Sequence, residues 1–473
     1  MLSFWINQMG AITTATAQPE TETNLIQRIG YFAALGLTFA LCSRLLDVTG
    51  PGLHLPQLLG GAALLCALVS GGLRVCLQTR VWVLYALLTC WFAAGVPFSI
   101  WHGGSFGVFQ SVWLRTLVVW VFVVGLVVTF DECRVILNTL AFASATAALT
   151  GIIMGGQTAE GRLVVDGGTL RNPNDFALVL LLGLPFLWHL YDGGGRPGIV
   201  RRVAAIGGGC LTVAGLLRTG SRGGLYAALF LILLIVLRAP VITKLLVIAA
   251  SLALLAIMAT MLPANLRHRY LTISSTDFIA KSEEPQSQVE ATAVGSAMSS
   301  AENRMLLLKQ SIAITLQHPI FGVGLGNFPV YVNKMNKEEG RPKDVWHGTH
   351  NTYTQLSSET GIPGLALFIG ILVVSWRSLG RVIRATRRDS RPRAREIRAS
   401  ALAVQMALAA VAFFILFAHI GYKVMPHLMV AVAVCVSRTA GAELRRLGPM
   451  PQAAGLIYRT QIPGLCRGPR AVR

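Results

Sequence analysis

The chain has 473 residues, of which 53% are apolar and only 13% are charged, with a net charge of +20. Soluble globular proteins contain about 25% charged residues, so this composition excludes an ordinary soluble domain. It predicts membrane-spanning helices, each of which needs roughly 20 mostly apolar residues. The eight cysteines include no Cys-x-x-Cys pair, so neither a zinc site nor a disulfide framework is indicated.

Twelve apolar stretches predict an all-α polytopic membrane protein with one long extracytoplasmic loop that carries short helices. Residues 1–24 lack a basic start and a continuous apolar run, so they predict a polar cytoplasmic lead and not a cleaved signal. Nine spans fall in residues 25–262, the long loop is 263–350, three spans fall in 351–437, and a basic tail covers 438–473. The predicted spans are 25–46, 53–72, 81–98, 112–130, 134–155, 175–191, 201–217, 223–238, 241–262, 356–376, 399–417 and 421–437.

The positive charge is concentrated in two segments. Residues 377–398 contain nine arginines and two acidic residues, and residues 438–473 contain seven arginines and one acidic residue. Loop 263–350 is nearly neutral, with nine basic and eight acidic residues. Because cytoplasmic loops collect Lys and Arg, we expect 377–398 and both termini to be cytoplasmic and the long loop to lie outside. The asymmetry accounts for the net charge, so nucleic acid is not expected as a partner.

The long loop itself shows three patterns. Residues 274–301 are rich in small and polar residues and predict a segment without packed structure. From Glu302 to Gln317, apolar residues recur at three- and four-residue spacing, which predicts an amphipathic helix. The alternating glycines that follow predict a flexible turn, since Asn327 stands where a dinucleotide fingerprint needs glycine.

Arg171, Asn174 and Asp175 form a first candidate cluster on the expected outer side, just before the sixth span. Asn-Pro-Asn is a turn sequence, and Asn174 or Asp175 could simply cap a helix. Arg171 also offers a cation at the membrane interface. Both interpretations, a helix start and a functional site, stay open.

Arg218, Ser221 and Arg222 form a second cluster, between the seventh and eighth spans. Arginines on this side run against the positive-inside trend, and charge near membrane depth is usually functional. Glycine neighbours leave room for a ligand, and a guanidinium pairs well with phosphate oxygens. The alternative is an arginine that extends to the interface. We favour a functional Arg222.

Arg304 and His350 form the third cluster, in the second half of the long loop. A histidine titrates near neutral pH and can therefore take a proton from a substrate. His347 lies three residues earlier and is an alternative to His350. No carboxylate is placed as in known zinc signatures, so no metal site is predicted.

These residues together resemble the signature of the bacterial O-antigen ligase and polysaccharide polymerase superfamily. His350-Asn351 is followed by Gly361-x-x-Gly364. The stretches that start at Arg171, Ser221 and Glu302 fit the same family in order and spacing, as do the twelve spans and the long outer loop. Leu365 departs from the pattern, because ligases often have a smaller residue there.

The resemblance implies an inverting, metal-independent glycosyltransferase without cofactor in the bacterial inner membrane. The donor would be a glycan on a polyprenyl (undecaprenyl) diphosphate, and the acceptor a hydroxyl on lipid A–core or on a growing glycan, as in lipopolysaccharide or exopolysaccharide synthesis. His350 would be the general base, and Arg222 and Arg304 would bind the diphosphate. The supporting residues would be Arg171, Asn174, Asp175, Arg218, Ser221, Asn351 and Glu359.

Two alternatives stay open. Twelve spans are also common in transporters, for solutes or for bicarbonate, but transporters tend to place ionisable groups at mid-membrane. Here the polar residues cluster at the outer side, with few candidates inside the predicted spans, Arg44 and His189 among them. Transfer of the glycan onto a protein would differ only in the acceptor.

Overall fold

The computed structural model describes residues 25–50, 52–165, 168–194, 197–238, 262–271, 288–338, 340 and 348–448, with single positions between 241 and 256. In chain order, the α-helices are α1 (Leu25–Ser43), α2 (Leu45–Thr49), α3 (Leu55–Val69), α4 (Gly72–Leu77), α5 (Arg80–Gly95), α6 (His102–Val108), α7 (Leu114–Leu126), α8 (Phe130–Met154), α9 (Pro173–Asp192), α10 (Ile199–Arg218), α11 (Arg222–Arg238), α12 (Ala264–Leu271), α13 (Gln288–Gln317), α14 (Phe328–Glu338), α15 (Thr352–Thr386), α16 (Pro392–Phe414) and α17 (Val424–Leu447).

The fold is an all-α polytopic membrane fold, as predicted. In the described part of the chain, nine helical segments are long and apolar enough to cross a membrane, and α3 and α11 are shorter apolar helices. These eleven match eleven of the predicted spans in order. The remaining span, 241–262, lies mostly outside the described residues, so the number twelve stays a prediction. The N-terminal lead 1–24 and the tail beyond residue 448 also lie outside them.

Helix α13 begins earlier than the sequence pattern predicts. It starts at Gln288, whereas we expected the helix to start at Glu302 and the preceding segment to be unstructured. Residues 288–301 contain four alanines, one glutamate, one glutamine and one methionine, which are good helix formers. Local propensity therefore extends the helix where no apolar periodicity signals it.

The most enclosed helices are α9, α16 and α17, and α10 is among the least enclosed. The core contains the fully buried aromatic side chains of Tyr85, Trp113 and Trp120. The Tyr85 hydroxyl lies 2.7 Å from Nδ1 of His427, and Nε2 of His427 lies 2.9 Å from the carbonyl oxygen of Gly421. This buried hydrogen-bonded chain fixes the start of α17 to the core.

Charged side chains connect the helix ends at one end of the bundle. Arg393 contacts Asp131 at 2.9 Å and Glu443 at 2.8 Å, and so joins α8, α16 and α17. Gly194, at the end of α9, packs against the backbone of Arg395. This end contains the arginine-rich segment 377–398 and is here called the basic end. The loops with the candidate residues lie at the other end, here called the site face.

Helix α15 is interrupted at Gly361, which has φ +74° and ψ 177°. A Cβ atom at this position would lie 1.8 Å from the carbonyl oxygen of Ile320. The break lets the turn after α13 pack on α15, where Ile362 donates to the Pro319 carbonyl at 2.8 Å and Gly324 donates to that of Glu359 at 2.9 Å. The first glycine of the Gly-x-x-Gly pair therefore has a structural role.

Candidate functional site

The turn between α10 and α11 brings Arg222 to the site face. Helix α10 ends at Arg218, Gly220 has φ +59°, and α11 begins at Arg222. Glycine adopts this left-handed conformation at little cost. The Arg222 Nε donates to the carbonyl oxygen of Arg269 at 3.0 Å, and the Arg269 Nε donates to that of Gly220 at 3.0 Å. The side chains of Arg222 and Arg269 thus stabilise the same turn through hydrogen bonds to backbone carbonyl groups.

Helix α12 carries Arg269 to this turn. The Tyr270 hydroxyl donates to the carbonyl oxygen of Leu217 at 2.9 Å, and so ties α12 to the end of α10. The Arg269 Nη1 forms an ion pair of 3.0 Å with Glu160. Burial raises the pKa of the Tyr270 phenol well above its usual value, so this donor stays protonated.

Arg304, on α13, is partly buried and adds a third positive charge to the region of Arg222 and Arg269. Its pKa is lowered first by burial and then by the like charges of Arg269 and Arg222. Its helix, α13, packs on α12, which carries Arg269, so the three positive charges lie close enough to repel one another. An anion between them would relieve this repulsion.

Arg162 is a fourth arginine of the site and is buried, with 8% exposure. Its Nε donates to the carbonyl oxygen of Thr219 at 2.9 Å, and its Nη2 donates to Oδ1 of Asn174 at 3.0 Å. The Ser221 hydroxyl donates to the same Oδ1 at 3.0 Å. Burial first, and then Arg269, lower the pKa of Arg162 to about 10. Arg162 therefore links the start of α9 to the turn before Arg222.

The short hairpin of β1 (Gly156–Gln157) and β2 (Leu163–Val164) presents Arg162 to the turn. The two strands pair antiparallel, with Gly156 opposite Val164. Across the loop, the Thr158 backbone N–H donates to the Arg162 carbonyl oxygen at 3.0 Å, and the Arg162 backbone N–H donates to the Thr158 hydroxyl at 3.3 Å. We refer to Arg162, Arg222, Arg269 and Arg304 as the arginine cluster.

An open cleft of about 580 Å³ lies beside this cluster. The Lys423 ammonium group forms an ion pair of 2.6 Å with the Asp175 carboxylate inside it. Asn172 caps α9, since its side chain accepts from the backbone N–H of Asn174 at 2.9 Å. The predicted N-cap, Asn174 or Asp175, is therefore wrong by two or three residues. The cleft is lined by Arg162, Arg171, Asn172, Pro173, Asn174, Asp175 and Lys423.

His350 lies at the entrance to α15 and has φ +51°, a left-handed conformation that is rare outside glycine. Its ring meets that of His419 edge-on, with the ring centroids 5.1 Å apart. Asn351 is the N-cap of α15, and its Oδ1 accepts from the backbone N–H groups of Tyr353 and Thr354. The alternative base, His347, lies outside the described residues.

The segment 415–423, which connects α16 to α17, joins these parts. His419 contacts His350, and Lys423 pairs with Asp175. A Cβ atom at Gly223 would lie 2.7 Å from the Cβ of Phe417, so the glycine after Arg222 allows a close approach. One short segment therefore touches the histidine, the cleft and the start of α11.

Two predicted supporting residues lie away from the cleft. Glu359 is buried, with 3% exposure, and its carboxylate accepts from the backbone N–H of Phe328 at 3.3 Å. It holds the turn between α13 and α14 against α15. Arg218 is partly buried at the end of α10 and makes no hydrogen bond or ion pair with the residues that the structure describes.

Four residues of the site face were not among the sequence candidates: Arg162, Arg269, His419 and Lys423. The signal that selected Arg222, a cation in an outer loop where positive charge is sparse, applies equally to Arg162 and Arg269. Nothing in the sequence pattern marks His419 or Lys423, since His419 was expected in a loop of three residues and Lys423 inside the last span. In the described part of the chain, no group of three or more His, Cys, Asp or Glu side chains is arranged to hold a metal ion.

The fold and this face define a multi-pass membrane protein with an arginine-lined site at the ends of its helices. The family model described as O-antigen ligase matches residues 208–369, about a third of the chain. The match includes Arg222, Arg304 and His350, and it supports membership of the O-antigen ligase and polysaccharide polymerase superfamily. At this level the family indicates an O-antigen ligase-like glycosyltransferase. No curated protein matches the chain.

Proposed function

We propose that the protein transfers a glycan from a polyprenyl diphosphate to a sugar hydroxyl at the outer face of the bacterial inner membrane. The observation that carries this proposal is the convergence of Arg222, Arg269 and Arg304 around the Gly220 turn. Guanidinium groups bind phosphate oxygens through paired hydrogen bonds, and their charge offsets that of a diphosphate. The N-terminus of α11 adds its own positive potential at the same place.

In this reaction the acceptor hydroxyl oxygen attacks the anomeric carbon of the donor sugar. The bond from that carbon to the diphosphate oxygen breaks, and the diphosphate leaves with the electron pair. His350 takes the hydroxyl proton, and the arginines stabilise the charge that develops on the leaving group. Attack in line with the leaving group inverts the anomeric centre. The cluster's own cations supply the neutralisation, so a metal ion is not required.

The position of His350 supports its role as the base. His350 contacts His419 of the segment 415–423, and the same segment packs on Gly223 beside Arg222. A hydroxyl that enters between this segment and the arginine cluster would meet a proton acceptor on one side and a diphosphate on the other. This arrangement is what a single displacement needs.

The orientation follows from the charge pattern. The basic end contains the arginine-rich segment 377–398, and the positive-inside trend assigns such a segment to the cytoplasm. The site face lies at the opposite end of the bundle and would face outward. The termini would then be cytoplasmic, and the lipid-linked donor would be met at the outer leaflet.

Complementation of a deletion strain tests the function. We expect loss of core-linked glycan or of polymer in the deletion strain, and no restoration by His350→Asn. Asparagine tolerates the left-handed backbone that His350 adopts, so this variant removes the imidazole and keeps the fold. His54→Asn is the matched control, because His54 is exposed and also has a positive φ, +47°.

The outcomes separate the candidates. Glycan that accumulates on its lipid carrier at full polymer length selects a ligase, and single repeat units select a polymerase. Loss of glycan from a protein selects a protein-directed transferase. If His350→Asn restores the glycan as fully as wild type does, His350 is not the base. A deletion that changes only solute or bicarbonate uptake would refute glycan transfer altogether.

A further inference from the structure

The open cleft contains a cation that has no partner among the described residues. Arg171 is exposed at its edge and makes no hydrogen bond or ion pair with the part of the chain that the structure describes. In contrast, Arg162 is hydrogen-bonded to Thr219 and Asn174, and Lys423 is paired with Asp175. The guanidinium of Arg171 is therefore available to a ligand in the cleft.

Polar donors surround this cation. The side-chain oxygens of Asn172 and Asn174 accept hydrogen bonds within the protein. Their side-chain nitrogens make none with the described residues. Asp175 is the one carboxylate among the lining residues, and Lys423 neutralises it. An anion in the cleft would thus meet donors and no unpaired negative charge. The amides suit sugar hydroxyl groups, which accept hydrogen bonds as readily as they donate them.

The charge at the site face exceeds what a diphosphate can neutralise. In the arginine cluster and the cleft, together with the ion-pair partner Glu160, six cations stand against two carboxylates, a surplus of four positive charges. A diphosphate that joins a lipid to a sugar carries one ionised oxygen on each phosphate, so part of the surplus remains. The cations are Arg162, Arg171, Arg222, Arg269, Arg304 and Lys423, and the carboxylates are those of Glu160 and Asp175.

We infer that the cleft binds an acidic sugar of the acceptor, one that bears a carboxylate or a phosphate, and that Arg171 makes the specificity-determining contact. This inference rests on the proposed function, since it assigns the second substrate of the same reaction. Lys423 favours the acceptor over the donor glycan, because the segment that carries it also carries His419, the neighbour of His350. An acceptor held in the cleft therefore lies on the side of the base that must take its proton.

Binding of model sugars to the purified full-length chain tests this assignment. The chain is placed in nanodiscs of phosphatidylcholine, and titration calorimetry compares trigalacturonate, which is acidic, with maltotriose, which is neutral. We expect trigalacturonate to bind at least tenfold more tightly, and Arg171→Gln to remove roughly tenfold of its affinity. Arg388→Gln is the matched control, because Arg388 is exposed at the basic end. Equal binding of the two sugars, or unchanged binding by Arg171→Gln, would overturn the inference.

Kinetics separate the acceptor from other sources of negative charge. With membranes as the donor source and acceptor extracted from the deletion strain, Arg171→Gln should raise the acceptor KM roughly tenfold with kcat retained. A raised donor KM instead would overturn the acceptor assignment. Phosphatidylglycerol added to nanodiscs of the wild-type protein tests a lipid headgroup as the ligand. If it lowers trigalacturonate binding as much as Arg171→Gln does, Arg171 binds a lipid headgroup and the acceptor assignment is wrong. If His350→Asn abolishes transfer while Arg171→Gln saturates as wild type does, the inference fails and the proposed function stands.

Discussion

Arg222→Lys tests most directly whether the arginine cluster binds the diphosphate. The Arg222 Nε donates to the Arg269 carbonyl oxygen at 3.0 Å. Lysine has one ammonium group, so it cannot make this contact and also bind phosphate through two parallel hydrogen bonds. The charge is kept and the geometry is lost. The substitution therefore separates neutralisation of the diphosphate from its orientation.

The expected effect on transfer is large. Loss of one preorganised donor to a developing negative charge costs about 2–4 kcal/mol of transition-state stabilisation. At 1.36 kcal/mol for each tenfold change, the rate should fall by about 30- to 900-fold. The loss should appear in kcat, because the contact strengthens as the diphosphate leaves.

The assay is transfer of labelled glycan in membranes from the deletion strain, with equal amounts of each variant. Arg218→Lys is the matched control, since Arg218 lies four residues earlier and has no hydrogen-bond partner in the described part of the chain. It should retain activity close to that of wild type. If the rate of Arg222→Lys lies within threefold of the wild-type rate, Arg222 does not bind the leaving diphosphate through paired hydrogen bonds.

Two further predictions concern α13 and α15. Arg304→Lys should lower the transfer rate at least tenfold, because Arg304 is partly buried beside the positive charges of Arg269 and Arg222. The control is Lys309→Arg, the reverse exchange at an exposed position of α13, which should leave the rate unchanged. Equal rates for the two variants would contradict the prediction. Gly361→Ala should lower the thermal unfolding temperature in detergent. The backbone at Gly361, with φ +74° and ψ 177°, costs other residues about 1–3 kcal/mol, and the alanine Cβ would lie 1.8 Å from the Ile320 carbonyl oxygen. Gly209→Ala, at a helical position with open space, should be neutral or stabilising, and the same shift in both glycine variants would show that the backbone at Gly361 is unimportant.

The order of the membrane helices could be predicted from the sequence because hydrophobicity is a local property. A run of apolar residues forms a helix in lipid whatever its neighbours are, since every backbone polar group must be satisfied within the segment. The helices α8, α9 and α10 accordingly fall close to the predicted spans 134–155, 175–191 and 201–217. Helix ends were less predictable: α13 begins at Gln288, where propensity acts without periodicity.

The sequence also selected part of the site. Arg222 stood out because a cation in an outer loop is rare, and the structure brings it together with Arg304, which lies 82 positions later. Asn351 belongs to the same signature and Glu359 lies between its two parts, but here Asn351 caps α15 and Glu359 is buried beneath a turn. A motif records which residues occur together and does not separate a supporting role from a chemical one.

The sequence by itself determined the class of the protein, the spans and the side on which its polar loops are expected. Only the tertiary structure decided which loop residues share a site. Arg162, Arg269 and Lys423 come from three separate connections between membrane helices, and packing of α9, α10, α12 and α17 brings them together. Such contacts depend on long-range packing, which no local pattern encodes. For that reason the cleft with Arg171 at its edge, and the surplus of positive charge around it, emerge only from the folded chain.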